Sequence, residues 1–187
     1  MSIEDDIAFF ERVPTLRILG RTALRILAIG AETRYVHSKM IVVDALHPAS
    51  QPTLGTGSLS GNLIARALGG AITQVAGGLM VNGTATLQAS TGISLNEPGN
   101  QWRGVLNLQG GSTSLTRLTS DTALRLGSVN TGALALTANG AITQAQALSV
   151  QGTASLNAGA APILLDATGN QFSGALSLTG GAVQLNS

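Results

Sequence analysis

The chain of 187 residues is 44% apolar but only 10% charged and 3% aromatic, and its net charge is +1 with no cysteine. A usual charged share is about 25%, so neither charge-driven disorder nor a broad field for nucleic acid or an anionic membrane is available. The missing cysteines exclude disulfide frameworks, thiolate metal sites and a cysteine nucleophile, while 24 glycines among Ala, Ser, Thr, Asn and Leu favour short strands joined by tight turns.

Charge divides the chain. Residues 1–37 carry Glu4, Asp5, Asp6, Glu11, Arg12, Arg17, Arg21, Arg25, Glu32 and Arg34, which is more than half of all charged side chains. Ile7, Phe9 and Phe10 precede a break at Pro14, and Leu24, Ile26 and Leu27 recur at helical spacing before Gly30. This predicts a short α-helical head of two helices, the first ending at or before Val13 because the residue preceding a proline avoids the helical region. Arg17, Arg21 and Arg25 are four apart and form one face, read as the solvated side of a packed helix. They also interrupt an apolar run already shorter than the roughly 20 residues that a membrane-spanning helix needs. The opening Glu4-Asp5-Asp6 is unlike the basic start of a secretory signal. The expected organisation is a head at 1–37, a linker at 38–54 and strand repeats at 55–187.

From Leu54 onward the pattern alternates with period two. In "ALALTANGAITQ" Leu134 and Leu136 share one face while Ala133, Ala135 and Thr137 share the other; Leu148 and Val150 pair likewise, as do Ala154 and Leu156 beyond Gly152. Phrases then recur in order. "GAITQ" begins at Gly70 and Gly140, "VNGTATL" at Val81 answers "VQGTASL" at Val150, and "GNQWRGVLNLQGG" at Gly99 answers "GNQFSGALSLTGG" at Gly169. Inside this unit of about seventy residues, Gly61, Gly83 and Gly104 fall about twenty-one apart, as do Gly132, Gly152 and Gly174.

A short period of this kind, with three alternating strands per unit, predicts a mainly β chain folded as a right-handed parallel β-helix (β-solenoid) of about six coils. Each coil buries small aliphatic side chains and the next stacks about 4.8 Å above it. The recurrent glycines are expected to turn corners through positive φ. Asn82, Asn100, Asn157 and Asn170 are expected to stack as hydrogen-bonded ladders, each long unit becoming one more turn of the same wall. Trp102 and Phe172, at equivalent places, are read as core or corner plugs.

Candidate chemistry is sparse. His37 and His47 lie ten apart with Asp44 between them and lack further partners for a triad or metal site; Asp44 and His47 are read as a turn pair. Arg66 is read as a solvent-facing strand residue, and Glu97, Asp121 and Asp166 stand alone. "GTGSLSG" follows a proline-containing stretch rather than a strand and opens no helix, so it is not read as a nucleotide loop. Asn82 heads an Asn-Gly-Thr acceptor pattern but is read as a strand corner. No catalytic, cofactor or metal residue is assigned, and no enzyme activity or cofactor is expected.

Two resemblances add to this reading. "DDIAFFERVPTLRILGRTALRILAIGAETRYV" resembles the start of the sensor domain in bacterial cyclic-nucleotide-binding transcription regulators of the cyclic-AMP-receptor and fumarate-nitrate-regulator type. It ends after His37, where Ser38-Lys39-Met40 replaces the family's Gly-Glu pair. "GNLIARALGG" has Arg66 without the acid that a cyclic-nucleotide cassette needs, and glycines interrupt every stretch long enough for a recognition helix. What this resemblance implies is a truncated or partial regulator.

Residues 55–187, with "GAITQ" and the "L.V.GTA.L.A" phrase, resemble the repeats of filamentous-haemagglutinin-like and autotransporter-type bacterial exoproteins. That implies a non-catalytic structural segment of a secreted or cell-surface adhesin. It would act in adhesion to a host or cell-surface ligand, or in self-association through open solenoid ends. The family's secretion domain and terminal barrel are not seen, so a chain expressed as it stands would be cytoplasmic. On this reading it is a segment of an exoprotein, with no nucleic-acid partner and no membrane-spanning segment.

Overall fold

In the computed structural model the described residues are 40–45, for the backbone, and 51–187; the expected helical head at 1–37, and with it His37 and His47, lies outside them. In chain order the strands are β1 (Met40–Ala45), β2 (Thr53–Leu54), β3 (Gly57–Leu59), β4 (Asn62–Ala67), β5 (Ala71–Gln74), β6 (Leu79–Val81), β7 (Ala85–Ala89), β8 (Gly92–Leu95), β9 (Gln101–Trp102) and β10 (Val105–Gln109). They continue with β11 (Leu115–Ser120), β12 (Leu124–Thr131), β13 (Ala133–Ala138), β14 (Ile142–Gln144), β15 (Leu148–Val150), β16 (Ala154–Asn157), β17 (Ile163–Leu165), β18 (Gln171–Phe172), β19 (Leu176–Thr179) and β20 (Val183–Leu185). Thus β1 and β2 fall within the 38–54 stretch that the sequence leaves as a linker.

All pairings are parallel and join strands of successive coils, which makes the chain a parallel β-solenoid of about six coils. Three walls result. Wall I is the seven-stranded sheet β2-β5-β8-β11-β13-β16-β19, wall III is the short sheet β3-β6-β9, and wall II contains the remaining ten strands.

Alternation builds the interior. Along β4 Leu63, Ala65 and Ala67 are buried, along β7 Ala85, Leu87 and Ala89, and along β13 Leu134, Leu136 and Ala138, while the residues between them point out. Leu148, Val150, Ala154 and Leu156 are buried as the pattern requires, and Trp102 is 1% exposed. Leu, Ile, Val and Ala dominate because three walls one strand wide enclose a space too narrow for many rings. Trp102 is accommodated with its indole N–H donating to the Thr119 carbonyl of the coil above at 3.1 Å.

Two expectations are corrected. The corner glycines Gly61, Gly83, Gly104, Gly132, Gly152 and Gly174 are not among those with positive φ, which are Gly57, Gly77, Gly92, Gly159 and Gly169. Their role is close stacking of backbone on backbone. A Cβ on Gly104 would collide with the carbonyl of Gly83 and lie 2.9 Å from Thr84 N; one on Gly174 would strike the Gly152 carbonyl. These glycines thus form two columns, Gly61-Gly83-Gly104 and Gly132-Gly152-Gly174, where coils pass too closely for any side chain.

The second correction concerns the long repeat. Its two copies do not lie on the same walls. β5 and β8 belong to wall I, but their counterparts β14 and β17 belong to wall II; β7 and β10 belong to wall II, but their counterparts β16 and β19 belong to wall I. The shift arises at β12. Its residues 124–126 correspond to the β2 position and 129–131 to the β3 position, yet here they form one bent strand above β10. The register slips between Leu106 and Leu108, opposite Gly127, where a Cβ would meet the Asn107 carboxamide. Above β12 wall II forks into β14-β17-β20 and β15-β18, while wall III ends at β9. Coil spacing changes as well, from 23 residues (Gly92 to Leu115) to 18 (Leu115 to Ala133). Each copy is therefore set one wall further round.

Because the glycine columns exclude Cβ, Gly104→Ala is expected to cost about 1–3 kcal/mol through forced displacement of the Gly83 corner between β6 and β7. Gly55→Ala, with nothing within 4 Å of its added carbon, should stay within about 0.5 kcal/mol of the parent. Urea denaturation followed by fluorescence of the single tryptophan, Trp102, measures both; equal midpoints for the two variants would refute the stacking role.

Candidate functional site

The repeated phrases meet in space. Gln74 closes β5 and Asn100 precedes β9; Gln144 closes β14 and Asn170 precedes β18, so each Gln lies 26 residues before its Asn. In the first copy Gln74 Nε2 donates to Asn100 Oδ1 at 2.7 Å and Asn100 Nδ2 donates back to Gln74 Oε1 at 2.8 Å. Asn100 Oδ1 also accepts from Leu79 N–H at 2.9 Å, and Nδ2 donates to the Leu95 carbonyl at 3.1 Å. The second copy repeats this set. Gln144 Nε2 to Asn170 Oδ1 is 2.9 Å, Asn170 Nδ2 to Gln144 Oε1 is 3.2 Å, Leu148 N–H to Asn170 Oδ1 is 2.9 Å, and Asn170 Nδ2 to Leu165 O is 3.2 Å.

Both asparagines are buried, at 0% and 5% exposure. A carboxamide has two donors and an acceptor oxygen with two lone pairs, enough to serve a glutamine on the coil below and two backbone groups at once. That exhausts its polar capacity, so the pair acts as a corner clamp and offers nothing to a ligand. Gly169, at φ +86°, reverses the chain just before Asn170.

The expected asparagine ladder is therefore replaced by Asn–Gln pairs between neighbouring coils. Asn82 is exposed at the corner after β6, where its Oδ1 accepts from Arg103 at 3.4 Å, and Asn157 Oδ1 accepts from Gly159 N–H at 2.9 Å. A same-residue ladder fails because Asn100 and Asn170 are three coils apart and on different walls. The two motifs are visible in sequence, but the 26-residue link between them depends on coil length and was missed.

The remaining candidates are dispersed. Arg66 is half-buried at an outward position of β4, in register between Asp44 of β1 and Gln88 of β7. Glu97 accepts from Gly77 N–H at 2.9 Å, Asp121 from Asn139 Nδ2 at 3.4 Å, and the Asp166 main-chain carbonyl from Asn186 Nδ2 at 3.4 Å. Among the described residues no three His, Cys, Asp or Glu side chains gather where a metal ion would sit. "GTGSLSG" forms β3 and its flanks, a wall element. Phe172 is half-buried and packs on the core at the last coil.

A family described as "Repeats of unknown function (DUF5649)" matches the chain twice, over residues 44–109 and 110–179. The chain belongs to this family. The division between the two matches falls between β10 and β11, immediately before the coil that moves the second copy on by one wall. No curated protein and no solved structure matches the chain. Among the described residues no helix is long and apolar enough to cross a membrane.

Asn100→Ala leaves the Leu79 N–H, the Leu95 carbonyl and the Gln74 carboxamide short of partners, at roughly 1–3 kcal/mol per buried group left unpaired. Its destabilisation should exceed that of Gln74→Ala, whose side chain is only half-buried. A double-mutant cycle should show a coupling of about 0.5–3 kcal/mol; strictly additive losses in chemical denaturation would exclude the clamp.

Proposed function

We propose that this chain is a non-catalytic structural repeat segment of a bacterial surface or secreted exoprotein of the filamentous-haemagglutinin-like type. It acts by adhesion or self-association through the extended surface of its solenoid. The observation that carries this reading is the sequence-equivalent corner clamp, which reappears after seventy residues inside one continuous hydrogen-bonded stack. The repeated residues are spent on holding coils together, so selection on the repeat is selection for length and rigidity. The outward positions left over hold mainly short neutral side chains such as Thr137, Ser155, Asn157, Ser177 and Thr179, which suits display better than proton transfer or phosphate binding. The proposed winding is right-handed, as in nearly all parallel crossover connections, and the proposed organisation keeps a helical head at 1–37 ahead of the solenoid.

Antibodies raised against residues 55–187 should label intact, unpermeabilised cells of the producing bacterium or its culture medium. Labelling that appears only after permeabilisation would defeat the surface reading.

A further inference from the structure

The sequence holds two Asn-Gly pairs, Asn82-Gly83 and Asn139-Gly140. Such a pair carries latent chemistry. The amide nitrogen of the glycine can attack the asparagine side-chain carbonyl carbon, and glycine, with no Cβ, hinders that ring closure least. The repeat does not relate the two pairs: Gln151 stands where the first copy has Asn82, and Gly69 where the second has Asn139. Both asparagines are exposed corner residues, Asn82 between β6 and β7 and Asn139 between β13 and β14. Exposure therefore does not separate them, but the hydrogen bonding of the following glycine does.

At the first pair the Gly83 N–H donates to the Gly61 carbonyl at 3.0 Å, and the Asn82 N–H to Leu59 O at 3.0 Å. Gly83 also lies in the stacked column Gly61-Gly83-Gly104, so its nitrogen can attack only when the corner opens. Asn82 Oδ1 is held in addition by Arg103 at 3.4 Å. At the second pair the Asn139 N–H is anchored on the Ser120 carbonyl at 2.9 Å, yet among the described residues the Gly140 N–H has no acceptor. The Asn139 carboxamide makes one exposed hydrogen bond, from Nδ2 to Asp121 Oδ1 at 3.4 Å.

We propose that Asn139 is a site of spontaneous deamidation, selected over Asn82 by the fold. The Gly140 nitrogen bonds to Asn139 Cγ, the Cγ–Nδ2 bond breaks, and Nδ2 leaves as ammonia with the proton that the Gly140 nitrogen gives up, closing a succinimide ring. Water then opens the ring at either carbonyl and leaves an aspartyl or an isoaspartyl residue with one new carboxylate. No enzyme, oxidant or cofactor is needed. The new charge stands beside Asp121, so a donor facing that carboxylate is replaced by a second anion. It also takes the formal net charge of the chain from +1 to 0, and a protein without net charge associates and precipitates more readily. The isoaspartyl form adds a backbone carbon at a corner that is already tight, since a Cβ on Gly140 would lie 2.7 Å from Ala123 N. Loosening therefore starts at the β13–β14 corner. This chemistry is intramolecular and independent of the adhesin reading.

The test ages the full chain at mildly alkaline pH, folded and in parallel in concentrated urea, and follows conversion at each asparagine by peptide mapping with isoaspartate detection. In urea both pairs should convert at similar rates. In the folded chain Asn139 should stay within about threefold of its rate in urea, while Asn82 slows by about tenfold or more. Asn139→Gln, at an exposed position, should keep the Trp102 emission of the parent and remove the acidic shift that the aged parent shows on isoelectric focusing, because glutamine closes the larger ring far more slowly. A folded Asn139 that stays intact, or that converts no faster than folded Asn82, overturns the proposal, as does an acidic shift that persists undiminished in the variant. If the variant fails to fold, the rates at the two sites of the parent decide alone.

Discussion

Everything in this molecule follows from the demand that each coil hydrogen-bond in parallel to the coils above and below it. A strand in such a stack has both edges satisfied by chain about twenty residues away, so a coil cannot change its path without moving its neighbours. Corners must superpose, and where backbones cross the corner at closest approach only glycine fits. The columns Gly61-Gly83-Gly104 and Gly132-Gly152-Gly174 are the consequence: sites defined by the absence of a side chain rather than by unusual torsion angles.

The same demand explains the buried carboxamides. Between strands the chain leaves wall geometry, and main-chain groups such as Leu79 N–H and Leu95 O lose their regular partners inside an apolar core. Burying them unpaired is expensive. Asn100 supplies an acceptor and a donor together, and Gln74 on the preceding coil takes up what remains of its capacity. Repetition of the set at Gln144 and Asn170 shows one solution applied to one topological problem, independent of the wall on which the corner falls.

That independence bears on how an array of these repeats presents itself. With three walls and a seventy-residue unit that is not a whole number of coils, equivalent outward residues of successive units face different directions. Gln109 of the first unit lies on wall II and its counterpart Thr179 on wall I. Residues brought into one axial row, such as Gln88, Gln109 and Asn130, come from positions that the repeat does not relate. The outer surface is therefore built by the stacking, whereas the interior is built by the repeat.

The sequence by itself determined the strand alternation, the small aliphatic core, the coil period and the solenoid class, because these depend on local choices: which face Leu134 and Leu136 share, where glycine interrupts, how rarely a charge appears. It marked Trp102 as interior for the same reason. Asn100 and Asn170 were legible as recurrent, but not their glutamine partners, and the corner glycines were legible in position but not in role. The tertiary structure alone decided which wall each copy occupies. That choice depends on the summed length of successive coils and on a single bend at Gly127 within β12, quantities that no local window contains and that hydrogen-bond register across the stack converts into a rotation of the whole second repeat.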